Sequence, residues 1–276
     1  MTTAFVLGGG GRWGAVEVGM LRALRDFDIQ PDVIVGTSIG AINGSVIADA
    51  SATDPVDRLT NLWTEIAEGN LFNTSFRERA GNLTLMRPAI HGTQGLREAL
   101  EHVHGVGRRI GDLDIAFECV AASIERAVEH WFTSGPLIPA LLASSAIPAL
   151  LPPVEINGEN FYDGGLVNSV PIDRAVERGA TRIFVLQVGR IEAPLRAPRR
   201  LHEAALISFE IARRHRFGTE VQRLPEGVEY HMLPSGNPVE FDDRRQLRWR
   251  DTGDTARLIE GAYQASVQYL GELGST

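Results

Sequence analysis

Short runs of apolar residues alternate along the chain with longer stretches whose apolar residues recur every three or four positions. The runs Ala4–Leu7 and Asp32–Val35 are typical of buried strands, whereas Val16, Met20 and Leu24 mark one face of a helix. Because strands and helices alternate from the first residues, we predict a mostly parallel sheet with helices on both of its faces. Further strands are predicted at 115–121, 130–133, 161–162, 183–188 and 228–233, and further helices at 39–48, 55–66, 94–104, 137–143, 171–178, 201–216 and 255–270.

One segment interrupts this alternation. Residues 69–92 mix apolar side chains with turn residues, a composition suited to a mobile cover or an insertion. No linker divides the chain, so we expect a single domain over residues 1–276. The motifs lie between about residues 3 and 190, and a C-terminal part from about 200 to 276 is expected to complete the domain.

The charged residues and the cysteine count exclude several functions. The net charge is −8, the opposite of the basic face that binds nucleic acid, so no nucleic-acid partner is expected. All 27 basic residues are Arg, and the absence of Lys excludes Schiff-base chemistry, a P-loop lysine and the Ser-x-x-Lys hydrolases. The single cysteine, Cys119, favours a reducing compartment. With no secretory leader and no apolar run long enough to cross a membrane, we expect a soluble, cytoplasmic protein.

A glycine-rich loop, Gly8–Gly14, lies between the first predicted strand and the first predicted helix. Its successive glycines allow backbone N–H groups to face one point, and the helix N-terminus adds partial positive charge. The loop therefore predicts an anion site, for either a bound phosphate or the oxyanion of a tetrahedral intermediate. Dinucleotide binding also requires an acidic residue at the end of a second strand, and none stands there.

A second motif, Gly36-Thr37-Ser38-Ile39-Gly40, begins where the second strand gives way to a helix. It matches the nucleophile elbow G-x-S-x-G, in which a tight turn between small residues exposes the serine hydroxyl. Ser38 also fits the role of a helix N-cap, and the two roles do not exclude each other.

A third motif, Tyr162-Asp163-Gly164-Gly165, follows a short predicted strand. Taken alone, Asp-Gly-Gly is an ordinary turn, but a nucleophilic serine requires a base. His202, His215 and His231 follow in the chain, yet none of them lies beside a motif. Asp163 itself is therefore the predicted base.

The three motifs in this order resemble the patatin-like phospholipase family, whose members combine a glycine-rich oxyanion loop, a G-x-S-x-G elbow and a D-G-G or D-G-A aspartate. The resemblance covers about residues 3–190 and includes Gly19–Leu24, Ala143–Pro148, Leu151–Val154 and Asn168–Pro171. It implies an α/β fold, a three-layer α/β/α sandwich with a central, mostly parallel sheet.

The resemblance also implies the roles of individual residues. Ser38 is the nucleophile, Asp163 activates it, and no cofactor or metal ion takes part. Many members carry a basic residue directly before the last loop glycine, where this chain has Trp13 and places Arg12 one position earlier. Whether Arg12 holds the loop or an anionic head group is therefore left open. The backbone N–H groups of Gly9, Gly10 and Gly11 form the implied oxyanion hole, and Gly14, Gly36, Gly40, Gly164 and Gly165 support the turns.

The implied function is a serine lipid acyl hydrolase of the phospholipase A, lysophospholipase or carboxylesterase type. Its partner is a lipid or fatty acyl ester, reached with or without peripheral contact to a membrane. Three alternatives remain: an acyltransferase with the same serine, a non-catalytic module that binds an anion or a lipid head group, and a nucleotide-binding protein. The apolar residues of the 69–92 segment either flank an acyl channel or cover the core: Leu71, Phe72, Phe76, Leu85 and Met86.

Overall fold

The computed structural model describes residues 1–50, 54–68, 92–188, 194–198, 201–236 and 252–274. Within these ranges no helix is both long enough and apolar enough to cross a membrane. The strands of the described ranges are β1 (Thr3–Leu7), β2 (Val33–Thr37), β3 (Ala116–Ser123), β4 (Val128–Phe132), β5 (Val154–Ile156), β6 (Glu159–Asp163), β7 (Arg182–Leu186) and β8 (Glu229–Leu233). The α-helices are α1 (Ala15–Asp26), α2 (Ile39–Ala48), α3 (Pro55–Glu68), α4 (Gln94–His104), α5 (Leu137–Ser144), α6 (Ile172–Glu177), α7 (Leu201–Gln222) and α8 (Thr252–Leu273).

All of these strands belong to one mixed sheet. Five of them lie side by side in the order β3-β2-β1-β7-β8 and run parallel to one another. Strands β4 and β6 pair antiparallel with β3, and β5 pairs antiparallel with β6. The sheet is therefore mostly parallel, as the alternating pattern predicts.

Side chains of the parallel strands alternate between two separate hydrophobic cores. Phe5 and Leu7 belong to the larger core, which includes residues of α1 to α5 and α8. Ala4 and Val6 belong to the smaller core, which includes residues of α6 and α7. This alternation is what a strand buried on both faces requires. Helices thus cover both faces of the sheet, and the predicted three-layer α/β/α sandwich is confirmed.

The observed elements differ from the predicted ones mainly at their ends and at β5. Strand β5 is absent from the predicted elements and forms a hairpin with β6. Asn157 and Gly158 join the two strands with φ of 54° and 81°, the positive values of a two-residue hairpin turn, so this Asn-Gly pair was the available signal. The cover expected at residues 69–92 lies, apart from its last residue, outside the described ranges.

Strand β3 brings the ends of β2 and β6 together. Its first five residues pair with β2, its last three pair with β6, and its last five also pair with β4. Because a strand has only two edges, β2 and β6 must share one edge and follow each other along it. Thr37 lies opposite Val120, and Asp163 lies opposite the next residue, Ala121. Ser38, which follows Thr37, therefore lies next to Asp163.

Candidate active site

Ser38 lies at the turn between β2 and α2 in a strained backbone conformation. Its φ is 55° and its ψ is −124°, values that residues with a side chain rarely adopt. Two glycines permit this turn: a Cβ on Gly36 would lie 2.6 Å from Ala41 Cα, and a Cβ on Gly40 would overlap the backbone at the end of β1. Ser38 occupies the N-cap position of α2, but its hydroxyl caps no amide and points to Asp163 instead.

Asp163 ends β6 and is held by two hydrogen bonds. Ser38 Oγ donates to Asp163 Oδ2 over 2.6 Å, and the Gly165 N–H donates to Asp163 Oδ1 over 2.7 Å. Ser38 and Asp163 are both buried, with 5% and 6% of their surface exposed. A Cβ on Gly164 would overlap the carbonyl of Val120, so only glycine fits directly after the aspartate. The serine can therefore pass its proton directly to this carboxylate, without a histidine between them.

Burial changes the acid strength of Asp163. Its removal from water raises the pKa from the ordinary value of 3.8 to about 6, against the lowering effect of the hydrogen bonds from Ser38 and Gly165. A carboxyl group with this pKa is mostly ionised at neutral pH and is a stronger base than an ordinary aspartate.

The glycine loop passes directly beside the serine. A Cβ on Gly9 would lie 3.5 Å from Ser38 Cβ. The Gly9 N–H, however, donates to the carbonyl of Ser169 over 2.9 Å, which corrects the prediction of three oxyanion donors. Among the described residues, neither the Gly10 nor the Gly11 N–H has an acceptor, and Gly11 has a φ of 56°. The candidate oxyanion donors are therefore Gly10 and Gly11.

The second half of the loop is fixed by side chains from other elements. A Cβ on Gly14 would overlap the side chain of Ile39, so the loop packs tightly against the first residue of α2. The Arg12 guanidinium donates to Asp254 of α8 over 2.5 Å and lies 5.2 Å from the centre of the Trp13 ring. Arg12 is thus engaged by a carboxylate of the protein.

Ser144 is a site residue that the sequence analysis does not identify. The Ser38 N–H donates to Ser144 Oγ over 2.9 Å, and Ser144 itself is fully buried at the end of α5. This bond satisfies the backbone amide of the strained residue and supports the elbow from a helix about 100 residues away in the chain. Ser144 falls within the family-like segment Ala143–Pro148, but no spacing in the sequence links that segment to the elbow.

An apolar cleft opens beside Ser38. Aliphatic side chains of α2, α3, α4 and the segment after α5 line it, for example Ile42, Leu62, Leu96 and Leu151. Gly11 and Ser38 also line the cleft, so the loop and the nucleophile both face an apolar space. An apolar lining of this kind favours contact with hydrocarbon over contact with water.

Among the described side chains, neither His215 nor His231 contacts Ser38 or Asp163. His231 lies on β8 and packs against the ring of Phe184 at 5.1 Å, and His215 lies on α7. The side chain of His202 lies outside the described residues. Within the described ranges, no group of three or more His, Cys, Asp or Glu side chains is arranged to bind a metal ion.

Known proteins resemble about two thirds of this chain. Patatin-like phospholipase domain-containing protein ZK370.4 of Caenorhabditis elegans is 34% identical over 195 residues, or 68% of this chain. Patatin-like phospholipase domain-containing protein 7 of Rattus norvegicus is 30% identical over 188 residues, or 67% of this chain. Lysophospholipase NTE1 of Kluyveromyces lactis is 28% identical over 200 residues, or 68% of this chain. These alignments cover 14%, 13% and 12% of the relatives' own lengths.

One solved structure and one sequence model of a family also match this chain. VipD from Legionella pneumophila has a TM-score of 0.49 and 14% sequence identity, with 98% of this chain and 67% of that chain covered. The sequence model described as patatin-like phospholipase matches residues 5–176, more than half of the chain. The chain therefore belongs to the patatin-like phospholipase family.

Proposed function

We propose that the chain is a serine lipid acyl hydrolase that cleaves fatty acyl esters through an acyl-enzyme on Ser38. The observation that carries this proposal is the contact of 2.6 Å between Ser38 Oγ and Asp163 Oδ2, at a strained turn beside an apolar cleft. The names of the relatives, phospholipases and a lysophospholipase, support a lipid ester as substrate.

In the first step, Ser38 Oγ forms a bond to the carbonyl carbon of the ester while its proton passes to Asp163 Oδ2. Negative charge develops on the carbonyl oxygen, where the N–H groups of Gly10 and Gly11 stabilise it. The tetrahedral intermediate then breaks the bond to the leaving alcohol, which takes the proton from Asp163. The product of this step is an acyl group bound to Ser38.

In the second step, a water molecule attacks the acyl carbon and gives its proton to Asp163. The same two N–H groups stabilise the second oxyanion. The bond between the acyl carbon and Ser38 Oγ then breaks, and the serine oxygen recovers the proton from Asp163. The fatty acid is released, and the dyad returns to its starting state without any further co-reactant.

The cleft supports an acyl chain in preference to a charged group. Its lining is aliphatic except for Gly11, Ser38 and Ser145, so it offers a chain of methylene groups many contacts. Burial of each methylene group contributes about 0.8 kcal/mol. We therefore expect turnover of p-nitrophenyl esters to rise with acyl length, until the chain fills the cleft.

The test is covalent labelling with a fluorophosphonate, read by intact mass and peptide mapping, together with turnover of lysophosphatidylcholine. We expect one adduct, on Ser38, that is absent from Ser38→Ala. Ser45→Ala is the matched control, because Ser45 is a buried serine of the same helix. The control should label like the unaltered protein.

Two outcomes would overturn the proposal. The first is the absence of an adduct even with lipid vesicles present, which would favour the anion-binding module. The second is unchanged ester turnover by Ser38→Ala. If the acyl group instead passes mainly to an added alcohol, the serine role stands and the acyltransferase alternative replaces hydrolysis.

A further inference from the structure

The oxyanion loop is joined to the last helix by a buried ion pair. Arg12 Nη2 lies 2.5 Å from Asp254 Oδ2, and the two side chains are only 4% and 8% exposed. Arg12 directly follows Gly11, one of the two candidate oxyanion donors, whereas Asp254 lies in the first turn of α8. The family match ends at residue 176, so Asp254 belongs to a part of the chain that the family model does not cover.

Helix α8 is a firm support for such a contact. A Cβ on Gly19 of α1 would overlap the carbonyl of Ile259, so the two helices approach each other to backbone contact. At the far end of α1, the Tyr263 hydroxyl donates to Asp26 over 2.8 Å. Because α1 follows the glycine loop directly, α8 can hold both the loop and the helix that begins after it.

We propose that Asp254 is a positioning residue of the active site: through Arg12 it fixes the loop that presents the Gly10 and Gly11 N–H groups to the oxyanion. This role rests on the proposed function. It also gives Arg12 the task of holding the loop in place of binding an anionic head group. Asp254 also pairs with Arg257, three residues further along α8, so its carboxylate is held in place where it meets Arg12. A buried charge pair of this kind is sensitive to its geometry.

The direction of the effect follows from what the pair contacts. The pair touches neither the Ser38 hydroxyl nor the Asp163 carboxyl, whose partners are each other and Gly165. Its loss should therefore slow the formation of the oxyanion without changing the base. An oxyanion donor that is slightly displaced weakens the transition state more than the bound substrate, so kcat should fall while KM changes little.

The experiment compares Asp254→Asn, Arg12→Gln and the double variant with the unaltered protein. We expect each single variant to lower kcat and the fluorophosphonate rate constant by roughly 10- to 100-fold, with KM changed less than about threefold. Because the two residues act as a unit, the double variant should be no slower than the slower single variant. The midpoint of the pH–rate profile should stay where the unaltered protein has it. Arg12→Lys keeps the charge and should recover part of the rate.

Two control variants separate positioning from general stability. Glu260→Gln removes a partly exposed ion pair with Arg22 from the same interface of α1 and α8, and it should leave the rates unchanged. Leu270→Ala opens a cavity at the far end of α8, and it should lower the melting temperature without slowing the folded molecules. Equal rate losses in Leu270→Ala and Asp254→Asn would overturn the proposal, as would a rate for Asp254→Asn within twofold of the unaltered protein.

Hydrogen exchange of the glycine loop supplies a readout that does not depend on activity. Amide exchange in peptides covering residues 8–14 should become faster in Asp254→Asn and stay unchanged in Glu260→Gln. If the unaltered protein forms no Ser38 adduct but exchange in the loop still becomes faster in Asp254→Asn, the proposed function is overturned. The role of Asp254 in holding the loop then still stands. If the adduct forms and the loop shows no change in exchange, the positioning role of Asp254 is overturned alone.

Discussion

A serine lies near each end of helix α2, and each belongs to a small set of polar side chains. At the amino end, Ser38 donates to Asp163 over 2.6 Å. At the carboxyl end, Ser45 Oγ lies 3.0 Å from His104 Nε2, and His104 Nδ1 lies 3.8 Å from Asp49. By residue type, the second set looks more like a hydrolase triad than the first, because it contains serine, histidine and aspartate.

The surroundings of the second set do not favour Ser45 as a nucleophile. Ser45 lies in regular helix, is fully buried, and donates its hydroxyl hydrogen to the Ile42 carbonyl over 2.8 Å. Asp49 is paired with Arg58 at 3.2 Å and Arg108 at 3.0 Å. Ser38 instead has a strained backbone, a glycine loop and an apolar cleft beside it. Under the proposed function, backbone geometry and access therefore distinguish Ser38 from Ser45, whereas the set of neighbouring side chains alone does not.

The largest expected effect is on the serines themselves. Ser38→Ala should reduce ester turnover by roughly 10³-fold or more, since the covalent step loses its attacking atom. Ser45→Ala should retain turnover within about twofold, because Ser45 only joins buried groups. Steady-state rates with a p-nitrophenyl ester, corrected for the folded fraction, measure both. Similar losses of turnover in the two variants would contradict a special role of Ser38 in the reaction.

The next largest effect concerns Asp163 and His104, the side chains that contact Ser38 and Ser45. Asp163 has its pKa raised to about 6 by burial, so kcat/KM should rise with pH to a plateau with a midpoint near 6. Asp163→Asn should lower the plateau by roughly 10³-fold and remove this midpoint. His104→Gln should leave both the plateau and the midpoint unchanged. Loss of the midpoint in His104→Gln would mean that His104, and not Asp163, is the group whose titration controls the rate.

The sequence predicts Ser38 and Asp163 as candidate nucleophile and base because each motif combines a reactive residue with glycines that a tight turn requires. It also predicts the layers of the fold, since strands buried on both faces leave continuous apolar runs. The sequence does not reveal three contacts of the site, for one shared reason: Ser144 with Ser38, Asp254 with Arg12, and Gly9 with Ser169. Each contact joins residues 100 or more positions apart and depends on how whole elements pack. No local pattern records such a distance.

Stability should depend on pH with opposite signs at the two ends of α2. The folded chain holds a proton on Asp163 between its ordinary pKa of 3.8 and about 6, so this group makes the free energy of unfolding fall as pH rises through that range. Burial, aided by the charges of Arg58 and Arg108, lowers the pKa of His104 from 6.5 to about 4, against the opposing effect of Asp49. The unfolded chain then binds the extra proton, so this group makes the free energy rise over nearly the same range.

Each contribution corresponds to about 3 kcal/mol, and the two largely cancel in the unaltered protein. Compared with the unaltered protein, Asp163→Asn should therefore make the slope of the unfolding free energy against pH more positive, and His104→Gln should make it more negative, between about pH 4 and pH 6.5. Glu17 and Glu220, whose pKa values burial also raises, contribute equally to all three proteins and cancel in this comparison. Urea unfolding at several pH values in this range measures both slopes. Parallel curves for the two variants would contradict the opposite signs.

The smallest expected effect is the contribution of the Ser45 hydroxyl to folding. Ser45→Ala removes the bond to the Ile42 carbonyl and leaves His104 Nε2 without its partner at 3.0 Å. A buried hydrogen bond of this kind contributes about 1 kcal/mol, so the free energy of unfolding should fall by roughly that amount. The loss should shrink in a His104→Gln background, because the two side chains form one network. Chemical unfolding of the four proteins of this cycle gives the coupling energy, and a coupling of zero would mean that Ser45 stabilises α2 only through its own helix.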